Sequence, residues 1–317
     1  MLTAKRQLGV RLYLALGVLG QLLWGSYPVM AKRVLMEVPK FSLLLVSTAA
    51  SLGVGAWLVR REGWPSWRAV ARFLGREKAL WGLAGFVVLR SVTNIYAIDM
   101  TRATWVQLVY LLTPFMVALL GHWLFGEAVP PYTYPALTLS TVGAVLVLVR
   151  DWSQVAAEVS GRDAVGLGVA FASMLSLAMY FQMVRRSSLR SAGPGLIMFQ
   201  QSLAMVATYA VLTVAWGEDW GAWLRMAPGG WMAAAWVVLV VFVVGQVAQI
   251  TAIGHAGATL ITSLMPLRLV SALALGAWVL GEHLETPLQW VGAAVVLVTV
   301  SAYLWLQGTA ARGRRRA

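Results

Sequence analysis

The sequence predicts an all-α membrane protein, with ten transmembrane helices laid out as two inverted five-helix repeats around a central cavity. Three observations predict it. The 317 residues are 60% hydrophobic and only 12% charged, with a mean hydropathy of +0.74, whereas a soluble domain carries roughly 25% charged residues. Ten apolar segments, at 12–31, 40–59, 79–98, 103–125, 132–149, 164–184, 195–216, 231–253, 258–280 and 288–306, are near the length a helix needs to cross a bilayer. Finally, the chain aligns with itself when shifted by 155 residues.

The first segment follows Lys5, Arg6 and Arg11 as a signal peptide would, but it is too long for one and nine more segments come after it. Glycine and proline inside the segments are compatible with bundled membrane helices. Tryptophans such as Trp57, Trp81, Trp216, Trp231, Trp290 and Trp305 fall near segment ends, where the water–lipid interface favours indole rings. Cysteine is absent, which excludes a disulfide framework, a thiolate metal site and a cysteine nucleophile. No loop or span brings together a nucleophile, a base and an orienting group, so the chain reads as a carrier rather than an enzyme, with no cofactor and no metal site.

The net charge of +13 raises the possibility of nucleic-acid binding, and the placement of the charges removes it. With the N-terminus in the cytoplasm, 16 Lys and Arg residues fall on the inner side and seven on the outer, a bias that sets orientation. Both termini are therefore expected in the cytoplasm, and the protein in the cytoplasmic (inner) membrane. Membrane lipids are the expected surroundings, and the tail at Arg312, Arg314, Arg315 and Arg316 is basic enough to meet anionic headgroups. The oligomeric state is not legible.

The internal repeat is detailed. Residues 94–127 and 249–282 share 11 identities in 34 positions, among them Gly121 with Gly276, Trp123 with Trp278, and Gly126-Glu127 with Gly281-Glu282. Tyr27 and Tyr180 correspond more weakly, at a shift of 153. The repeats divide the chain into 1–150 and 151–317. Five spans is an odd number, so the second copy enters the membrane in the opposite sense. Inverted repeats are an architecture of secondary transporters, which place the substrate near the bilayer midplane between the two halves.

Trp24-Gly25-Ser26 in the first span, Pro114 ahead of Gly126-Glu127, and the second Gly281-Glu282 together resemble the EamA-type members of the drug/metabolite transporter superfamily. The resemblance runs over essentially the whole chain. It implies a ten-helix carrier with cytoplasmic termini, alternating access, and a cavity lined mainly by helices 1, 3, 4, 6, 8 and 9. It also implies an export role, with amino acids or other metabolites as cargo. One departure stands out: the position matching Pro114 is Leu269, while Pro266 lies three residues earlier, so the second site-lining helix is expected to bend elsewhere.

Candidate substrate-binding residues follow from what is costly in a membrane. Arg90 and Arg268 lie midway along spans 3 and 9, with no Asp or Glu at similar depth, and a charge there costs about 2.5–3.5 kcal/mol on insertion scales. A guanidinium cannot shed its proton and suits carboxylate or phosphate. Two readings stay open: a substrate supplies the missing negative charge, or each arginine bonds carbonyls at a broken helix turn. Asn94 lies one turn from Arg90, Gln246 and Gln249 share a face, and Gln249 corresponds to Asn94. Gln107 corresponds to Thr262. These groups either bond a solute or glue helices together. Trp24, Tyr27, Tyr110 and Tyr180 complete the candidate wall, while Gln200 and Gln201 are poorer candidates because the resemblance puts their helix at the side. Each Gly-Glu pair is expected to end its helix, with the Glu near the interface. None of His122, His255 and His283 is central, which points to facilitated diffusion or exchange rather than proton coupling through a buried group.

The expected function is secondary transport of a small polar metabolite, amino-acid-like or another organic anion. The alternatives are export of amphipathic or cationic compounds through an aromatic cavity, and a non-transporting membrane scaffold.

Overall fold

Away from water, a backbone must satisfy its own N–H and C=O groups, and a helix does so within one segment. The computed structural model describes residues 2–126, 129–148, 160–186, 193–256 and 264–313, and the regular structure among them is helical. The first half contains α1 (Leu2–Leu35), α2 (Lys40–Arg61), α3 (Trp67–Arg76), α4 (Lys78–Met100), α5 (Ala103–Tyr110), α6 (Thr113–Phe125) and α7 (Thr133–Leu148). The second contains α8 (Gly161–Arg186), α9 (Pro194–Ala215), α10 (Gly221–Leu224) and α11 (Pro228–Ala235). A π-helical stretch, Trp236–Gly245, then leads into α12 (Gln246–Ala256). Finally α13 (Pro266–Leu275) ends in a π turn, Gly276–Leu280, before α14 (Pro287–Gly313).

Seven helical stretches among the described residues are long and apolar enough to cross a membrane: 40–61, 80–100, 103–124, 161–181, 195–215, 228–252 and 287–306. The other three of the ten expected segments fall on α1, whose 34 residues begin with the basic leader, and on the two shorter apolar helices, 133–148 and 266–280. Residues 258–263 of the ninth segment, with Thr262 among them, lie outside the described residues, as do Glu127 and the side chain of His255.

Some details are additions to the expected pattern. The fourth segment is broken at Leu111 and Leu112, and Pro114 opens α6, because proline has no N–H to give and fits a helix's first turn. In the second half α13 starts at Pro266, which matches position 111, two positions ahead of the start of α6 at Thr113. The connection after α2 folds into amphipathic α3, with Val70 and Leu74 buried and Arg68, Arg72 and Arg76 exposed. Gly126 and Gly281 end their helices in the same left-handed conformation, at φ 66° and 67°. A side chain at either position would be strained, and a glycine is not.

The helices pack in a restricted set of pairs. α2 runs along α9, α4 along α8, and α7 along α14. α1 lies against α12, its π-helical lead-in and α13, while α8 takes α5 and α6 as well as α4. At Gly25 the contact between α1 and α13 is backbone to backbone: a Cβ there would stand 2.6 Å from the Arg268 carbonyl oxygen and 2.7 Å from its Cα.

Distant glutamates tie down helix starts, whose first N–H groups have no partner within the helix. Glu62 accepts from Gly195 N at 2.6 Å, and Glu218 accepts from Phe41 N and Ser42 N at 2.9 and 2.7 Å. Glu37 accepts from Ala227 N at 2.7 Å. Glu282 accepts from Ala103 N and Thr104 N, both at 3.2 Å, and faces Lys32 at 3.7 Å. Lys40 pairs with Asp99 at 2.7 Å, with Arg162 at 3.8 Å from the same carboxylate. The acidic side chains are thus engaged at helix ends, as expected for Gly281-Glu282.

Candidate functional site

An internal cavity of about 60 Å³ lies where α1, α2, α4, α8, α9, α12 and α13 converge. Among the described residues its wall contains two charged side chains, Arg90 and Arg268, and no carboxylate.

Arg268 is in the first turn of α13 and is 4% exposed. Its Nε donates to Gln21 Oε1, and one terminal nitrogen donates to Gln249 Oε1 at 3.2 Å. Both acceptors are neutral amides, so the charge is solvated by dipoles and not cancelled.

Arg90 is held differently. Its guanidinium carbon stands 5.3 Å from the centre of the Trp24 ring, a cation–π contact. The buried Arg90 Nε and Trp24 Nε1 have no hydrogen-bond partner among the described residues. Both are N–H donors.

Behind Arg90 runs a directed chain of hydrogen bonds. Asn94 Nδ2 donates to the Tyr110 hydroxyl at 2.9 Å, and Ser173 Oγ donates to the Arg90 carbonyl at 2.6 Å. The Tyr110 hydroxyl, 2.6 Å from Ser173 Oγ, is left to donate to it. Every link is neutral and each strengthens the next by polarisation. This chain joins α4, α5 and α8.

One side of the cavity is aromatic. Trp24, Tyr27 and Phe242 meet with ring centres 5.6–6.0 Å apart, in tilted and edge-on contacts. Across from them, Gln201 Nε2 donates to the Tyr180 hydroxyl at 3.2 Å. The Trp24-Gly25-Ser26 triplet thus has three separate tasks. Trp24 faces the cavity, Gly25 lets α13 approach, and Ser26 Oγ accepts from Trp236 Nε1 at 2.8 Å.

A family model described as the EamA-like transporter family matches residues 11–149. The chain carries an EamA-like transporter unit. The match is consistent with the drug/metabolite transporter superfamily that the motifs resemble, and the long apolar helices mark an integral membrane protein. A solved chain described as "Crystal structure of protein" shares the fold. It is 18% identical over 93% of this chain and 96% of that one, with a TM-score of 0.65. No curated protein matches by sequence.

In the EamA-like scaffold, eight of the ten sequence candidates line the cavity: Trp24, Tyr27, Arg90 and Asn94 from the first half, and Tyr180, Gln246, Gln249 and Arg268 from the second. Tyr110 is set behind Asn94 in the hydrogen-bonded chain. Gln107 is buried on α5 away from the cavity, its Oε1 without a partner among the described residues. Sequence reasoning missed Gln21, which lies three residues before Trp24 and so on its side of α1; that spacing is the signal that would have found it. It also set aside Gln201, which reaches the cavity while Gln200 turns away to donate to the Leu80 carbonyl at 3.1 Å. Ser173 carried no signal, since a serine in a membrane helix commonly bonds its own backbone.

Proposed function

We propose that the protein is a secondary transporter that moves a small polar metabolite, amino-acid-like or another organic anion, across the cytoplasmic membrane by alternating access. The carrying observation is the chemistry of the cavity wall: two guanidinium groups, no carboxylate, and unpartnered buried atoms that are both N–H donors, Arg90 Nε and Trp24 Nε1. A solute rich in acceptors and negative charge completes such a wall. The start of α13 reinforces this, because a helix N-terminus favours negative charge.

Ten spans in two inverted repeats, 1–150 and 151–317, are part of this reading. The helix pairs support it. If α1, α2, α4, α5–α6 and α7 correspond to α8, α9, α11–α12, α13 and α14, then α4 on α8 exchanges with α12 on α1, and α5–α6 on α8 exchanges with α13 on α1. The pairs α2–α9 and α7–α14 map onto themselves. The Glu62 and Glu218 ties exchange in the same way, as do the glycine caps at Gly126 and Gly281. Cytoplasmic termini follow from the distribution of basic residues, and facilitated diffusion or exchange from the lack of a titratable group among the midspan candidates other than arginine and tyrosine.

Export of an amphipathic or cationic compound is the second reading, favoured by the Trp24, Tyr27 and Phe242 wall. The two arginines and the narrow cavity, well below the roughly 300–1,000 Å³ of drug-sized sites, oppose it. A thermal-shift screen of amino acids, carboxylates, phosphates and amines on purified protein separates the two. Anions should stabilise the wild type and have no effect on an Arg90→Gln, Arg268→Gln double variant. Stabilisation by amines, undiminished in the double variant, would reverse the assignment.

A further inference from the structure

The cavity wall carries two positive charges that its own residues leave unbalanced, and from this we infer that the preferred solute carries two negative charges: a compact dicarboxylate or a phosphate monoester rather than a zwitterionic amino acid. This rests on the anion-carrier reading above and narrows it.

Charges that share one buried cavity must balance. Neither guanidinium can become neutral by losing a proton. What surrounds them is dipolar: Gln21 and Gln249 oxygens on Arg268, and the Trp24 ring face under Arg90. Carboxylates outside the wall are engaged elsewhere, Glu282 at the start of α5, Asp99 by Lys40, and Glu37 by Arg33 and Ala227. A zwitterion would leave the occupied cavity at a net two positive charges, a monoanion at one, and a dianion at zero. Burying uncompensated charge is what a low-dielectric site resists most. A zwitterion has a further handicap, because its ammonium group finds no carboxylate in the wall.

Geometry adds a second line. The arginines come from different halves of the chain, Arg90 on α4 and Arg268 on α13, and each offers free donors. Arg90 Nε and Trp24 Nε1 are without a partner among the described residues. A guanidinium has five N–H donors, and Gln21 and Gln249 take two of those on Arg268. The wall therefore has two anion-binding points, one on each half. The cavity is small, about 60 Å³, which favours a compact solute.

The test is calorimetric titration of the purified full chain at neutral pH with four probes of similar size. These are succinate (two carboxylates), butyrate (one carboxylate), 4-aminobutyrate (a zwitterion) and glycerol phosphate (a phosphate monoester). Succinate or glycerol phosphate should bind at least about tenfold more tightly than butyrate, a step of about 1.4 kcal/mol, with 4-aminobutyrate weakest. Whichever of the two dianions is stronger identifies the source of the charge. Arg90→Gln should bring the dianion down to the butyrate level and leave butyrate within about threefold, less than one such step. Arg90→Lys, which keeps the charge, should preserve the ranking and serves if the glutamine variant does not fold. Butyrate or 4-aminobutyrate matching both dianions would overturn this inference; with butyrate still bound, the anion-carrier reading survives. No binding by any of the three anions would overturn both.

Discussion

Asn94 and Gln249 occupy the same position in the two aligned halves, and the networks built on them differ in kind. Asn94 starts a neutral chain through Tyr110 and Ser173 to the Arg90 carbonyl, in which each polar group meets a protein partner. Gln249 instead offers its oxygen to a buried cation, Arg268, at the position that matches Thr113. The first arrangement is complete without a ligand and fixes three helices to one another. The second is stable only as far as neutral dipoles can support a full charge, and so it stays receptive to an anion. One amide position thus serves as a brace between helices in one half and as a support for a buried cation in the other.

The largest effect expected from breaking this contrast is at Arg268. Arg268→Gln should lower anion uptake in proteoliposomes by roughly 10–100-fold, since charged hydrogen bonds are worth about 1.5–3 kcal/mol each. An equal loss of uptake from Asn94→Leu would show that the two arms do not differ. Next is Gly25→Ala, which puts a methyl group against the Arg268 backbone. Overpacking of this kind costs about 1–3 kcal/mol, read as a lower melting temperature in detergent. Leu substitutions at the paired amides then sharpen the comparison. Gln249→Leu removes one of the acceptors of a buried cation and should cost about 1–3 kcal/mol, whereas Asn94→Leu leaves Tyr110 bonded to Ser173 and should cost about 1 kcal/mol. The reverse order in melting temperature would mean that the brace, not the cation, depends on its amide. Tyr110→Phe should cost about 0.5–1.5 kcal/mol and leave uptake close to wild type.

The smallest effect concerns a helix tie outside the membrane. The Ala227 N–H, more than the Arg33 guanidinium, holds the Glu37 carboxyl below the usual carboxylate range. A folded-state pKa below the unfolded one stabilises fully above the unfolded value, and the contribution disappears as pH falls through the folded value. Melting of Glu37→Gln should therefore trail the wild type by a constant margin above about pH 5 and converge with it in acid. A margin that grew in acid would contradict this role for Glu37.

Much of the fold was legible because membrane burial leaves a coarse mark: long apolar runs, and arginines inside them that stand out by cost alone. The glycine caps were legible for similar local reasons, while the break at Leu111 and Leu112 falls inside an unbroken apolar run. Amphipathic α3 was not, since its ten residues alternate arginine with apolar side chains and have no apolar run. Nor were the π-helical stretches, in which a run of valines around Phe242 reads as ordinary helix. In the site, charge and aromaticity identified Arg90, Arg268, Trp24 and Tyr27. Which of two adjacent glutamines faces inward, Gln200 or Gln201, depends on the rotation of α9 against α2 and α4, and no single segment encodes that.

The glycine contact at α1 reaches beyond local packing. It fixes α1 against α13, holding Gln21 and Trp24 beside Arg268, whereas Arg90 sits on α4, braced to α5 and α8. If each guanidinium moves with its own set of helices, the cargo's charge acts on the gap between them. A negatively charged guest lodged between them would act as a clasp that draws the two sets together, and a positively charged one as a wedge, so the sign of the cargo would decide whether the gap shuts behind it.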